Sequence, residues 1–288
     1  MTVFAAGRWS PQGRPLAFRT IALPGFTVSL GLTLASVCLI VLLPLSAVMA
    51  TAAAGGVEGF VRSATSPRAL HAYALSLSAA LAASAVNAVF GLIAAWTLSR
   101  YQFYGRNVLA ALFDLPLALP TAVAGVALAA IYGPHGLLGA PLARLGIKSA
   151  YSELGIVIAL TFVGAPFVVR SLEPVIEDLP IELEEAALTL GAGRLAILRR
   201  VIAPALAPAW LTGISLAFAR AVGEYGSVIF IAGNLPNRTE IAPLLITVRL
   251  EEYDNAGAAS IAVVILAAAL LMLLAINGLA SLARGRRS

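Results

Sequence analysis

LPIELEEAALTLGAGRLAILRRVIAP, residues Leu179 to Pro204, is a knot of charge set between two membrane-length apolar runs. Glu182, Glu184 and Glu185 come first, and Arg194, Arg199 and Arg200 follow. Ile181 to Leu190 is compatible with a helix, and Gly191-Ala192-Gly193 supplies the backbone freedom to end it and turn. Leu195 to Val201 then suits a second short helix, which Pro204 is expected to stop before the next span. Acids near the start of the first helix and arginines near the end of the second suit both macrodipoles. On these grounds alone the stretch reads equally as a rigid projecting knob or as an amphipathic loop with a solvated charged face.

The chain around this hinge belongs in a bilayer. Hydrophobic residues make up 60% of the 288 residues and charged ones 11%, with a mean hydropathy of +0.93. That leaves too little polar surface to cover a water-soluble globule. The net charge of +5 is spread between apolar runs and forms no aromatic-interleaved patch, which argues against nucleic acid. Cys38 stands alone in an apolar run, and His71 and His135 have no partner at ligand spacing, so neither a disulfide framework nor a metal site is expected.

Working outward, six spans emerge. Residues 1–24 carry Arg8, Arg14 and Arg19 without an acid and read as a cytoplasmic segment ahead of a first span from about Gly25 to Ala50. That run exceeds a signal-peptide core, so it is expected to be a retained helix, although Ala47 and the alanines after it also resemble a cleavage site. A loop with Glu58, Arg62, Arg68 and His71 leads to a second span, Tyr73 to Leu98, with Trp96 and Tyr101 at belt depth and a buried Asn87 acting as interhelical glue. Asn107 to Gly133 carries Asp114, Pro116 and Pro120, whose prolines break helix regularity. It is expected to begin as an interfacial helix and bend into the membrane, either as a pathway-lining segment or as a packing kink. Pro134 to Glu153 is an external loop or shallow surface helix, and the fourth span, about Leu154 to Val169, ends at Arg170. After the hinge, a fifth span runs from about Ala205 to Ala232, a polar segment from Gly233 to Gly257, and a sixth span from about Ala258 to Leu282. Residues 283–288 form a basic cytoplasmic tail, and 25–282 one transmembrane domain.

With both termini inside, twelve basic residues face the cytoplasm and six face out, which puts the hinge in the cytoplasm. Arg220 and Glu224 lie within the fifth span, one helical turn apart. They are either a structural pair that neutralises a costly charge or an arginine on an anion's route held by its carboxylate. Gly223 and Gly226 flank the acid and suit close helix approach.

Glu185-Ala186-Ala187, then Gly191 after three residues, then Val201, Ala203 and Pro204, resemble the EAA loop of the permeases of binding-protein-dependent ABC importers. Val201 stands where that family usually has Ile, and Ala203 where it has Leu; both are apolar, so the register holds. LPGFTVSLG (23–31), FGLIAAWTLSRYQFYGR (90–106), DLPLALPTAVAG (114–125), PFVVR (166–170) and FARAVGEYGSVIFIAGN (218–234) are similar to sulfate/thiosulfate permeases of the CysT (CysU) type. Molybdate permeases share parts of the third and fifth blocks. The resemblance implies an all-α polytopic protein with six transmembrane helices in the ABC-importer (MetI-like) fold, embedded in a bacterial inner membrane. It also implies a coupling helix carried by Glu184, Glu185, Ala186, Ala187, Gly191, Arg194 and Pro204, which inserts into a cytoplasmic ATPase.

No GxxxxGK[ST] phosphate loop occurs, so ATP and Mg are expected on a partner and no cofactor in this chain. The resemblance implies two ATPase subunits, a second related permease, a soluble sulfate-binding protein meeting the segment Gly233 to Gly257, and a non-catalytic role for this chain. Transport of another oxyanion such as molybdate or tungstate is the alternative substrate reading. A secondary transporter using Arg220, Glu224 and Asp114 as relay groups is the alternative class, and it leaves the charged hinge unexplained. No HExxH or GxSxG supports an intramembrane enzyme.

Overall fold

The computed structural model describes residues 26–285; the expected N-terminal segment 1–24 and the last arginines, Arg286 and Arg287, lie outside them. Helices and short connections account for the described residues, with no strand among them. The chain divides into two compact units, 1–46 and 47–288. The first holds α1 (Phe26–Val37), a π turn (Cys38–Leu42) and the opening residues of α2 (Leu43–Ala54).

The second unit continues through α3 (Gly56–Ala64), α4 (Pro67–Arg100), α5 (Arg106–Ala118), α6 (Thr121–Tyr132), α7 (Gly139–Arg144) and α8 (Glu153–Glu177). The hinge contributes α9 (Ile181–Thr189), α10 (Arg194–Ile197) and a π turn (Leu198–Ile202). Then come α11 (Ala203–Val222), α12 (Val228–Ile231), α13 (Ala242–Glu251) and α14 (Asn255–Gly285). Among the described residues, five helical runs are long and apolar enough to cross a membrane, and a sixth results if α5 and α6, bent by 117°, count as one broken span. The described residues are therefore all-α, and the expected six spans are reached with the bent α5–α6 pair as the third.

Helices α4, α8 and α11 pack on one another as the centre of the second unit. One apolar cluster, with Leu75, Leu160, Phe218, Ile231 and Leu245, fills the end away from the hinge. A second, with Leu98, Leu172, Ile176, Ile202 and Leu206, fills the hinge end. Polar cross-links between helices lie along the centre: Asn87 Nδ2 donates to Thr161 O (3.1 Å), Trp210 Nε1 to Ala88 O (2.8 Å) and Ser215 Oγ to Asn277 Oδ1 (3.2 Å). Asn87 is thus interhelical glue, as expected of an amide deprived of water.

Several boundaries move, each for a local reason. The expected loop with Glu58, Arg62, Arg68 and His71 is mostly helical, because Ser66 caps α4 by accepting from Ala69 N (3.3 Å) and Pro67 occupies the first turn. Its 34 residues extend about 50 Å at 1.5 Å per residue, more than the bilayer needs, so the α4 C-terminus reaches the hinge. The fourth span does not end at Arg170; α8 continues through Pro174 to Glu177, and Arg170 is tolerated there because Asp114 and Glu173 neutralise it. The fifth span does not run unbroken to Ala232: α11 stops at Val222 and a short break separates it from α12. The segment Gly233 to Gly257 is not simply polar, since it contains α13, whose Ala242, Leu244 and Leu245 are buried.

Candidate functional site

The hinge folds as a helix, a left-handed turn and a second helix. Pro180 precedes α9 in an extended conformation, and Glu182 and Glu184 lie in the first turn, where exposed amides favour negative charge. Gly191 ends the helix with φ +77°: its amide donates to Leu188 O (2.9 Å), and Ala192 N donates to Ala187 O (3.0 Å). This pair of bonds is a Schellman closure, which favours glycine at its left-handed position. Gly193 O then accepts from Ala196 N and Ile197 N to start α10.

The second helix is not stopped by Pro204. Helix α10 passes through the π turn directly into α11, so Arg194–Val222 is one continuous run. Ala203 N bonds to Leu198 O, five residues back, and this widened turn makes room for a proline that lacks an N–H and would crowd an α-turn. The other π turn, Cys38–Leu42, stands in the same relation to Pro44.

Two faces of the hinge have different roles. Leu179, Ile197 and Ile202 are buried in the hinge-end cluster, with Ala187 and Ala192 packed against it. Glu184 also turns inward, 3.1 Å from Arg100 Nη2, and Arg100 in turn donates to Leu179 O (3.2 Å) and covers the Trp96 ring at 5.3 Å. Glu182, Glu185, Ala186, Leu188 and Arg194 are exposed, and Leu190 is 88% exposed. Of the candidate coupling residues, Glu184, Ala187 and Gly191 therefore shape the knob, whereas Glu185, Ala186 and Arg194 lie on its free surface. The exposed leucines escaped sequence reading because the stretch was sorted by charge.

Beside the hinge, Arg170 pairs with Asp114 of α5 and with Glu173 at 2.6 Å. Arg106 donates to Leu98 O (2.7 Å) and lies 3.7 Å from Glu177. Asp114 is thus a partner of α8 and does not meet Arg220.

Arg220 and Glu224 do pair, at 2.5 Å, but the contact crosses the end of α11. Glu224 is 1% exposed; its second oxygen accepts from Ser227 N and Ser227 Oγ, both at 2.8 Å, so the carboxylate organises the break. The break is a close-approach site. A Cβ on Gly226 would collide with Thr121 and Ala122 of α6, and one on Gly125 would come within 2.5 Å of Ser227 O. Pro120 opens α6 as its N-cap residue, so the broken third segment and the break after α11 meet face to face. Gly223 takes no part, since a Cβ there would meet only Ala219 O at 4.0 Å. Arg220 keeps a third of its side chain accessible.

At the other end, Arg68 forms a bidentate pair with Glu240, both bonds at 2.7 Å, and Glu240 is 1% exposed. The two are 172 positions apart, and no local signal links them.

Comparison with known proteins gives this geometry its context. The sulfate transport system permease protein CysT of Salmonella typhimurium (strain LT2) is 51% identical over 259 residues, covering 90% of this chain and 94% of that protein. The CysT protein of Escherichia coli (strain K12) matches equally, and that of Synechocystis is 46% identical over 85% of this chain and 86% of its own. In fold, the chain resembles a subunit of a bacterial ABC transporter that imports the acidic polysaccharide alginate, with TM-score 0.69, 14% identity and coverage of 88% and 94%. The same kind of transporter in complex with its alginate pentasaccharide-bound periplasmic protein gives TM-score 0.71 at 15% identity, covering 88% of this chain and 92% of that one. Residues 87–287, which hold the hinge, the central helices from the second part of α4 onward and the break after α11, match the binding-protein-dependent transport system inner membrane component, and the chain belongs to that family.

Proposed function

We propose that this chain is the permease subunit of an ATP-driven importer of sulfate and thiosulfate, forming one half of the pore and coupling through α9 to a separate ATPase. The observation that carries the reading is the hinge itself: its inner face is anchored in the core, while Glu185, Leu188 and Leu190 are exposed on a rigid turn. An exposed apolar and acidic knob of this kind suits a protein partner better than water. The substrate reading rests on the CysT relatives.

The chain binds no nucleotide of its own; ATP and Mg are held by two cytoplasmic ATPase subunits. The chain is not itself an enzyme. A second, related permease completes the pore, and a soluble sulfate-binding protein delivers substrate on the outer face, where Leu235 and Tyr253 stand exposed. The assembly sits in a bacterial inner membrane with both termini and the hinge in the cytoplasm. When the ATPases close, they push on α9, and the continuous α10–α11 run carries that motion to the break at Gly223–Ser227.

Along the pathway Arg220 supplies positive potential to a dianion, and Glu224, fixed by Ser227, sets the guanidinium's position. Arg220→Gln then abolishes uptake while the complex still assembles; loss of assembly would make the pair purely structural. The main test is uptake of labelled sulfate by proteoliposomes carrying the whole complex. Uptake is expected to follow ATP, to compete with thiosulfate, to ignore a proton ionophore and to vanish in Glu185→Lys. Uptake driven by the proton gradient, or blocked by molybdate and not by thiosulfate, would overturn it.

A further inference from the structure

An apolar groove of about 400 Å³ runs between the end of α4 and the start of α11, and the coupling role makes no use of it. Trp96 and Tyr101 form one wall, and Leu198, Ile202, Leu206 and Trp210 the other. The second set recurs every four residues, so it occupies one side of the helical run. Trp210 is fixed by its bond to Ala88 O (2.8 Å), which makes that wall preformed.

The groove's hinge end is basic. Arg199 lies on the π turn, exposed, and among the described residues its side chain is neither hydrogen-bonded nor paired with an acid; Arg200, midway between Leu198 and Ile202, projects from the opposite side of the run. Arg100, Arg106 and Arg170 nearby all have carboxylate partners. Arg199 precedes Ala203, which also lines the groove, by one turn, so its charge continues the apolar stripe toward the polar hinge. An apolar slot walled by tryptophan and tyrosine, opening at an unpaired arginine where the helices leave the bilayer, matches a lipid with an acyl chain and an anionic head.

We propose that this groove holds an anionic phospholipid of the cytoplasmic leaflet, one acyl chain against Trp96, Leu206 and Trp210 and the phosphate at Arg199. The assignment of leaflet rests on the hinge being cytoplasmic, as proposed above. A lipid here would wedge α4 against the hinge's second helix and stiffen the run that transmits motion to the pore.

The whole importer, reconstituted in nanodiscs of equal phosphatidylcholine and phosphatidylglycerol, tests this by native mass spectrometry of retained lipid. Phosphatidylglycerol is expected to be enriched on the wild-type complex. Arg199→Gln should cut that enrichment by roughly fivefold, and Arg200→Gln, on the opposite side of the run, should leave it unchanged. Arg199→Lys should keep it, and Ala203→Trp, which fills the groove, should lose retention of both lipids. Unchanged enrichment in Arg199→Gln, or none in the wild type, overturns the proposal. If Arg199→Gln sheds the ATPase and keeps the lipid, the arginine belongs to a protein interface and the lipid assignment is wrong. If the wild-type permease never retains an ATPase, the coupling function fails, while lipid enrichment still decides this proposal separately.

Discussion

Two adjacent glutamates in the hinge differ in kind. Glu184 faces Arg100 and is partly buried, so Glu184→Ala should cost about 0.5–1 kcal/mol of stability, read as a lower thermal midpoint. Glu185 faces outward, so Glu185→Ala should leave that midpoint unchanged and weaken retention of the ATPase in pull-downs. Reversal of that pattern would mean that α9 docks by its other face. At Gly191 the constraint is the backbone alone: an added Cβ meets nothing within 4 Å, yet φ is +77°. Gly191→Ala is therefore expected to cost about 1–2 kcal/mol, and Gly191→Asn less, because asparagine tolerates the left-handed region. The glycine and its turn were legible in the sequence. Which glutamate faced the core was not, because a charge pattern carries no helix rotation until a partner such as Arg100 is in place.

At the scale of elements, the π turn joins the hinge to the fifth span. Pro204→Ala restores an amide that can bond to Arg200 O and removes the ring, which lets the turn relax to α geometry. That change rotates the hinge relative to α11. Pro204→Ala should stay folded and retain the ATPase, yet lose ATP-driven uptake, as measured in proteoliposomes. Full uptake would show that the register of the run does not matter. Anchoring is a separate question: Leu179 is 8% exposed in the hinge-end cluster, and Leu179→Ala is expected to cost about 2–4 kcal/mol, read by thermal unfolding in detergent. Proline positions could be read from the chain, and they placed the bend between α5 and α6 correctly. They misled at Pro204, because a proline can be absorbed by widening a turn as well as by ending a helix.

Across the whole molecule, the Arg68–Glu240 pair ties the start of α4 to the segment before α13. Arg68→Ala strands a carboxylate that is 1% exposed and should cost about 3 kcal/mol. That figure is the low end for a buried pair, because Arg68 keeps 28% of its side chain exposed. Glu240→Gln in the Arg68→Ala background should recover much of the loss by removing the stranded charge. Sidedness is testable on the same scale with Cys38→Ser as the background. Thr189→Cys in the hinge should resist a membrane-impermeant maleimide added outside intact cells, whereas Asn237→Cys should react. The opposite labelling would invert the topology and remove the ATPase from the hinge.

Hydropathy, length and charge count are properties of the chain itself. They were enough to set the number of spans, the broken third segment, the hinge with its glycine turn and the membrane class, because a bilayer tests each segment almost independently of its neighbours. The partners of charged groups were decided only in three dimensions. Asp114 went to Arg170, Glu240 to Arg68 and Glu184 to Arg100, and the breaks at Pro120 and Gly226 came to face each other. Each of those pairings depends on the rotation of one packed helix against another, and no single segment carries that information.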